Sequence, residues 1–392
     1  MEKSNNSISI SRVILLGGAF IGLLIGSGLA TGQEIMQYFV AYHYMGFASI
    51  ALMFILFVYV DISFVTVGYE QQFEEPKNIY NYYCGKVVGT FFDYFSAIFV
   101  YMSFWVMIAG AGALVNQQLG VANWIGGSIV GIATIITLCF GFNRLVGIVG
   151  SIGPLVAGLV ILLGFAGIML NPGGLSTFVE KVPPLVESGK ILQAGTNWFI
   201  GCASYVGFCM MWLAVFMTNI GKTANSKKEA SYGAIFGSFL FTATVLLLTL
   251  GLAANVSEVA GAPIPTLVLL NKINPALAVV FSAIVFVKIY AAACPLLWTP
   301  VKRFAPDEQS TRYNLVLLIM GLAGTIIGLA VPFAKLVNVV YVLSGYIGFL
   351  LFFMMVITDF RTRILKNYTP KIVTELQAKK MAEESQNNTI KG

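Results

Sequence analysis

Of the 392 residues, 58% are hydrophobic and only 10% are charged, and the mean hydropathy is +0.84. A soluble domain carries about a quarter charged residues, so soluble globular and disordered classes are excluded. The net charge of +6 calls for no nucleic-acid partner, because loop charges in a membrane chain follow its topology.

Apolar runs recur along the whole chain, each long enough to cross a hydrocarbon core of about 30 Å. They predict helices over 11–41, 45–69, 88–116, 122–141, 145–170, 194–219, 230–254, 277–299, 313–332 and 335–359. The class is therefore an all-α polytopic membrane protein with about ten transmembrane helices; a β-barrel would show short alternating segments instead. The polar head MEKSNNSISISR leads into a run too long for a cleavable signal peptide. One transmembrane domain is expected over 1–360, as halves 11–170 and 194–359. A polar tail over 361–392 is expected to form a short helix and then disorder. With the N-terminus placed in the cytoplasm, the other side keeps only Lys181, Lys190, Lys272 and Lys335. That asymmetry satisfies the positive-inside rule and puts both termini in the cytoplasm.

The first helix contains IGSGLATGQE at 25–34. Glycine costs about 1 kcal/mol in a helix interior, so Gly26, Ser27, Gly28 and Gly32 weaken the helix near its midpoint. Small residues also let membrane helices pack closely. Packing does not explain Glu34, since a carboxylate in the core costs about 2.5–3.5 kcal/mol or more. Unwound backbone is tolerated at that depth where it lines a cavity. The stretch 26–31, with Ala30 and Thr31, reads as a discontinuous helix at a solute site.

Many transporters are inverted repeats with broken helices at matching positions. Ten helices divide five plus five, so the sixth should match the first. It reads NWFIGCASYVGFC, and Gly201, Cys202, Ala203, Ser204 and Gly207 make a small, poorly helical patch beside Tyr205. A second break is expected there.

Lys288 falls near the centre of its helix, too deep to reach the interface easily. Glu34 is read as a gate, an amine ligand, a proton carrier or a hydrated wall. Asp61 and Asp93, in the cytoplasmic third, are read as relay groups or salt-bridge partners. Tyr101 with Trp105, and Trp198 with Tyr205, are candidate pocket walls, and an aromatic box for a quaternary amine is conceivable. The five cysteines lack metal-ligand spacing and the chain has one histidine. No nucleophile elbow or HExxH occurs, so no enzyme activity, cofactor or metal is expected.

GSG at 26–28 and FIG at 199–201 resemble motifs of the amino acid–polyamine–organocation superfamily, which has the LeuT-type 5+5 fold. The phrase GSGLATGQEIMQYF and the segment APIPTLVLLNKINPAL resemble the YkvI-type family of bacterial membrane proteins. The resemblance implies a multi-pass protein of the bacterial cytoplasmic membrane that moves a small solute, often an amino acid. It places the solute against Gly26, Ser27, Gly28, Ala30, Thr31, Trp105, Gly201, Ser204 and Tyr205. It also sets helix 8 against the break in helix 1. Sodium-coupled relatives carry adjacent hydroxyls on helix 8; here Ala291, Ala292 and Ala293 stand there. Lys288, one turn earlier, is then a built-in cation in place of sodium, which would make the carrier proton-coupled or ion-independent. Its other reading is half of an ion pair with Asp61 or Asp93. Two further possibilities are a solute sensor of the germinant-receptor kind and a carrier of quaternary amines or organic acids. The oligomeric state is left open.

Overall fold

The computed structural model describes residues 8–140 and 146–378, and the regular elements in this range are helices. The disorder expected at the end of the tail lies outside the described residues. The first predicted helix is three pieces: α1 (Ile10–Leu24), α2 (Ser27–Thr31) and α3 (Gln33–Tyr38). Then follow α4 (Met45–Gln71), α5 (Asn78–Leu119), α6 (Asn123–Cys139), α7 (Val146–Leu170) and α8 (Gly174–Glu187). The second half comprises α9 (Trp198–Thr223), α10 (Lys227–Ala254), α11 (Val256–Val259), α12 (Pro265–Ile273) and α13 (Pro275–Phe304). It ends with α14 (Thr311–Ala330), α15 (Phe333–Leu336) and α16 (Val342–Asp359).

Among the described residues, seven helices are long and apolar enough to cross a membrane, and a bent pair at α7 and α8 makes up to eight. The α1 and α6 helices are apolar but shorter. The protein is thus an all-α polytopic membrane protein. Side-chain caps start several helices where the apolar runs begin. Asn197 accepts from the Phe199 and Ile200 N–H groups, Ser226 from Glu229, and Ser310 from Tyr313. Each satisfies an orphan donor of a helix N-terminus. Ile14, Leu162, Ile319, Ile326 and Leu350 are exposed. They form an outward apolar surface that lipid can cover. The interior is instead rich in aromatic rings and small residues.

The break expected in the helix after 194 is absent: α9 is continuous from Trp198 to Thr223. The small residues have another use. A methyl group on Gly207 would overlap the Gly345 carbonyl, and one on Gly348 would overlap the Gly207 carbonyl. The Ser204 hydroxyl donates to the Val342 carbonyl at 3.2 Å. Gly201 accommodates the Tyr42 ring, and Cys202 lies against the Ser49 carbonyl at 3.4 Å. The patch therefore lets α9 approach α16 and α4 backbone to backbone, the common use of small residues between membrane helices. Because the α9 backbone bonds remain internal, nothing forces it to unwind.

Candidate functional site

The site is built on the interruption of helix 1. The α1 helix ends at Leu24, and Gly26 takes an extended conformation (φ −86°, ψ −170°) before α2 resumes. The ordinary helical ladder fails across Ile25 and Gly26. A second interruption follows at Gly32, whose φ of +86° lies in the left-handed region that favours glycine. There the Thr266 hydroxyl of α12 donates to the Ala30 carbonyl at 2.9 Å, and the Thr31 hydroxyl to the Gly28 carbonyl at 2.9 Å. So α2 is a short helical fragment held at one end by α12 and open at the other. A methyl group on Gly26 would meet nothing within 4 Å.

Glu34 is 3% exposed. The turn at Gly32 aims its carboxyl back over α2, so that a methyl on Gly28 would overlap Oε1. The Tyr205 hydroxyl donates to Oε2 at 3.3 Å. A wall of rings leads away from this carboxyl: Tyr38 to Tyr205 (5.1 Å between centroids), Tyr205 to Phe208 (5.0 Å) and Phe208 to Tyr341 (4.8 Å). It continues from Tyr341 to Trp212 (5.5 Å). The Tyr341 hydroxyl and the Trp212 ring N–H are buried without a partner among the described residues. Tyr341 closes a turn of π-helix over Val337–Tyr341. Such turns often mark functional positions, since they shift the register of one helix face.

Lys288 of α13 is 5% exposed, and its Nζ donates to the Gly22 carbonyl in the last turn of α1 at 3.3 Å. It makes no ion pair among the described residues, so the pairing with Asp61 or Asp93 is not found. The ammonium faces the negative end of the α1 dipole. Asp93 instead forms a bidentate pair with Arg303, at 2.7 and 3.0 Å. Asp61 is fully buried and accepts one hydrogen bond, from the Ser238 hydroxyl, at 2.6 Å.

Two cavities approach helix 1 from opposite ends. One, of about 630 Å³, is lined by Leu23, Asp93, Trp212, Pro295 and Arg303. The other, of about 450 Å³, is lined by Gln33, Met36, Gln37, Pro265 and Lys335. Residues 24–32 of helix 1 stand between them. The second cavity is crossed by amides: Gln33 donates to the Ala262 carbonyl (2.7 Å), and Gln37 to the Ala334 carbonyl (2.9 Å). Asn338 donates to Gln37 at 3.1 Å.

The structure thus gathers Gly26, Gly28, Ala30, Thr31, Glu34, Tyr205 and Lys288 around one interruption, with Ser27 in the same fragment. Trp105 is not among them: its ring packs on Gly324 of α14, beside Tyr101. Gly201 and Ser204 serve helix packing. Sequence reading missed Tyr38, Phe208, Trp212 and Tyr341. For Phe208 and Trp212 the signal, aromatic residues one turn apart on α9, was present but lost among the 13% aromatic content; Tyr38 and Tyr341 come from other elements and carried no such signal.

No protein-family model matches the chain. Two Bacillus subtilis (strain 168) proteins are similar in sequence. The uncharacterized membrane protein YkvI is 20% identical over 351 residues, covering 89% of this chain and 95% of that protein. The uncharacterized protein YyaD is 23% identical over 307 residues, covering 76% and 83%. Among solved structures, MhsT in complex with L-phenylalanine superposes with a TM-score of 0.55 at 15% identity, over 90% of this chain and 88% of that one. A variant of the Eremococcus coleocola manganese transporter gives 0.51 at 14% identity, over 97% and 93%. The inward-facing conformation of Mhp1 gives 0.52 at 14% identity, over 93% and 79%. Near-complete superposition at such low identity is a likeness of architecture, and the chain has the LeuT-type fold.

Proposed function

We propose that the protein is a secondary transporter that moves a small zwitterion, an amino acid or a close relative, by alternating access. The observation that carries this reading is the pair of ionisable side chains, one basic and one acidic, at the helix-1 interruption. Lys288 reaches it from α13 and Glu34 folds onto it from α3, and among the described residues neither is paired with a side chain of opposite charge. The solute's carboxylate lies toward Lys288 and the free backbone near Gly26. Its ammonium lies toward Glu34 and the rings of Tyr38 and Tyr205, where carboxylate and π faces both favour a cation. An apolar side chain fits the ring wall leading to Trp212. That MhsT was solved with L-phenylalanine agrees with an aromatic solute.

In this reading the spans number ten, with α6, α7 and the α1–α3 unit added to the seven long helices, in two inverted halves. The basic end carries both termini and faces the cytoplasm. Rocking of one bundle against the other exposes the interruption to each cavity in turn. Lys288 occupies the place of a coupling sodium. A sodium ion about 4 Å away would be repelled by about 4 kcal/mol at an effective dielectric of 20. The chain's similarity to YkvI extends the family resemblance read from GSGLATGQE.

The test is a thermal-shift screen of purified protein against amino acids, amines and organic acids. A solute that binds only the native state stabilises it by about 2.7 kcal/mol at a hundred times its Kd. Zwitterions are expected to raise the melting temperature where the matched amine and the matched acid do not. Stabilisation by organic acids alone would remove Glu34 from the site and overturn this assignment.

A further inference from the structure

Asp61 remains unexplained by a solute site at helix 1. It is 0% exposed, its Oδ2 accepts from Ser238, and its Oδ1 has no partner among the described residues. No basic side chain pairs with it among the described residues. A charge in such surroundings needs a counter-charge, because one left alone costs several kcal/mol. The facing groups are few. From α10 it is the Ser238 hydroxyl; from α9 it is the Cys209 thiol, which is within electrostatic reach of both Asp61 and Glu34. Neither can supply a positive charge.

The position of Asp61 couples it to helix 1. Phe57, one turn away on α4, packs edge-on against Phe20 of α1 at 6.3 Å. Phe241, three residues beyond Ser238 on α10, packs edge-on against the same Phe20 ring at 6.1 Å. Phe20 is thus a wedge between α4 and α10, against rings that lie within one turn of Asp61 and of Ser238. It sits on the helix that ends at the interruption. A movement of α1 against α4 and α10 would carry this ring with it.

We infer that Asp61, with Ser238 as its hydrogen-bond donor, is a proton-binding site whose access is controlled by Phe20, and that it carries the proton of a proton-coupled cycle. A hydronium ion reaching the seam gives its proton to Oδ1, where an O–H bond forms and water is left. In the other state the O–H bond breaks and water takes the proton. The Ser238 hydroxyl lies 2.6 Å from Oδ2 and 2.9 Å from the Ala234 carbonyl; its single hydrogen goes to Oδ2 when the carboxyl is ionised and can turn to Ala234 when it is not, whereas Oδ1 has no partner among the described residues and is the oxygen open to the incoming proton. The proton is therefore bound apart from Lys288 and apart from the solute. The coupling role rests on the transporter reading given above, whereas proton binding at Oδ1 does not.

The experiment uses Asp61→Asn in the full-length protein, a substitution that keeps the shape and the acceptor for Ser238. Purified wild type and variant are reconstituted with a trapped pH-sensitive dye and a radiolabelled mixture of L-amino acids. The wild type is expected to accumulate label under an inward proton gradient and to acidify the lumen as it does so. The variant is expected to exchange label across the membrane without accumulation and without acidification. Unchanged accumulation in Asp61→Asn, with the same pH profile, would overturn the inference. A second measurement does not need transport. The infrared difference between wild type and variant should contain the carbonyl stretch of a protonated carboxylic acid, shifting with deuterium exchange. If that band is absent at every pH at which the protein is folded, Asp61 is not a proton site. If the wild type moves no label at all, the transporter reading fails, while the infrared comparison still decides proton binding at Asp61.

Discussion

Replacing Lys288 with alanine is expected to reduce solute uptake by about 10- to 100-fold while leaving the protein folded. Hydrogen bonds from a charged group contribute about 1.5–3 kcal/mol, and each 1.4 kcal/mol is a factor of about ten. In the native protein the Lys288 ammonium bonds the Gly22 carbonyl at the end of α1. Without it that carbonyl loses its donor, and the interruption keeps only the acidic member of its pair. Lys288→Arg is expected to recover little, since the flat guanidinium needs room that the buried position lacks. Initial uptake rates in proteoliposomes, normalised to protein content, measure both effects. Unaltered uptake in the alanine variant would make Lys288 a packing residue.

Gly28→Leu is expected to abolish solute binding outright. Even a methyl group at this position overlaps the Glu34 carboxyl. A leucine must push that carboxyl off Tyr205 and fill the space over α2. The matched control is Gly26→Ala, where a methyl meets nothing within 4 Å and the backbone φ of −86° suits any residue. Its stability without solute should change by no more than about 0.5 kcal/mol, as for other unstrained substitutions, and solute binding is expected to weaken less than in Gly28→Leu, because only a methyl group then borders the solute's carboxylate. The contrast is read from thermal shifts with the solute found in the screen. Equal loss in both variants would mean that α2 needs glycine for its backbone rather than for the space that Glu34 occupies.

The membrane class and the interruption of helix 1 were legible because each depends on local features. Apolar run length reports the spans. Glycines beside a carboxylate report a place where a helix has no reason to continue. Lys288 was legible too, since a lysine in the centre of an apolar run has few reasons to be there. The continuity of α9 was not legible. Glycine, cysteine, alanine and serine weaken a helix and also allow close packing, and the decision rests with Gly345 and Gly348, far along the chain. The partner of Asp93 was hidden for the same reason, since Arg303 is 210 residues away. Tyr341 joins the ring wall as the last residue of a π-turn, which no local composition signals. Trp105 was misplaced because helical spacing defines a face but not the neighbour that the face meets; here it meets α14.

The central claim is that a resident ammonium takes the part of a coupling sodium at the helix-1 interruption. The direct test is uptake of the solute found in the screen by wild-type proteoliposomes, with all sodium replaced by choline and then by potassium. Uptake that continues at the same rate in both is the predicted result. Uptake that stops without sodium and returns when it is restored would contradict the account, and would leave the Lys288–Gly22 contact as a structural tie between α13 and α1.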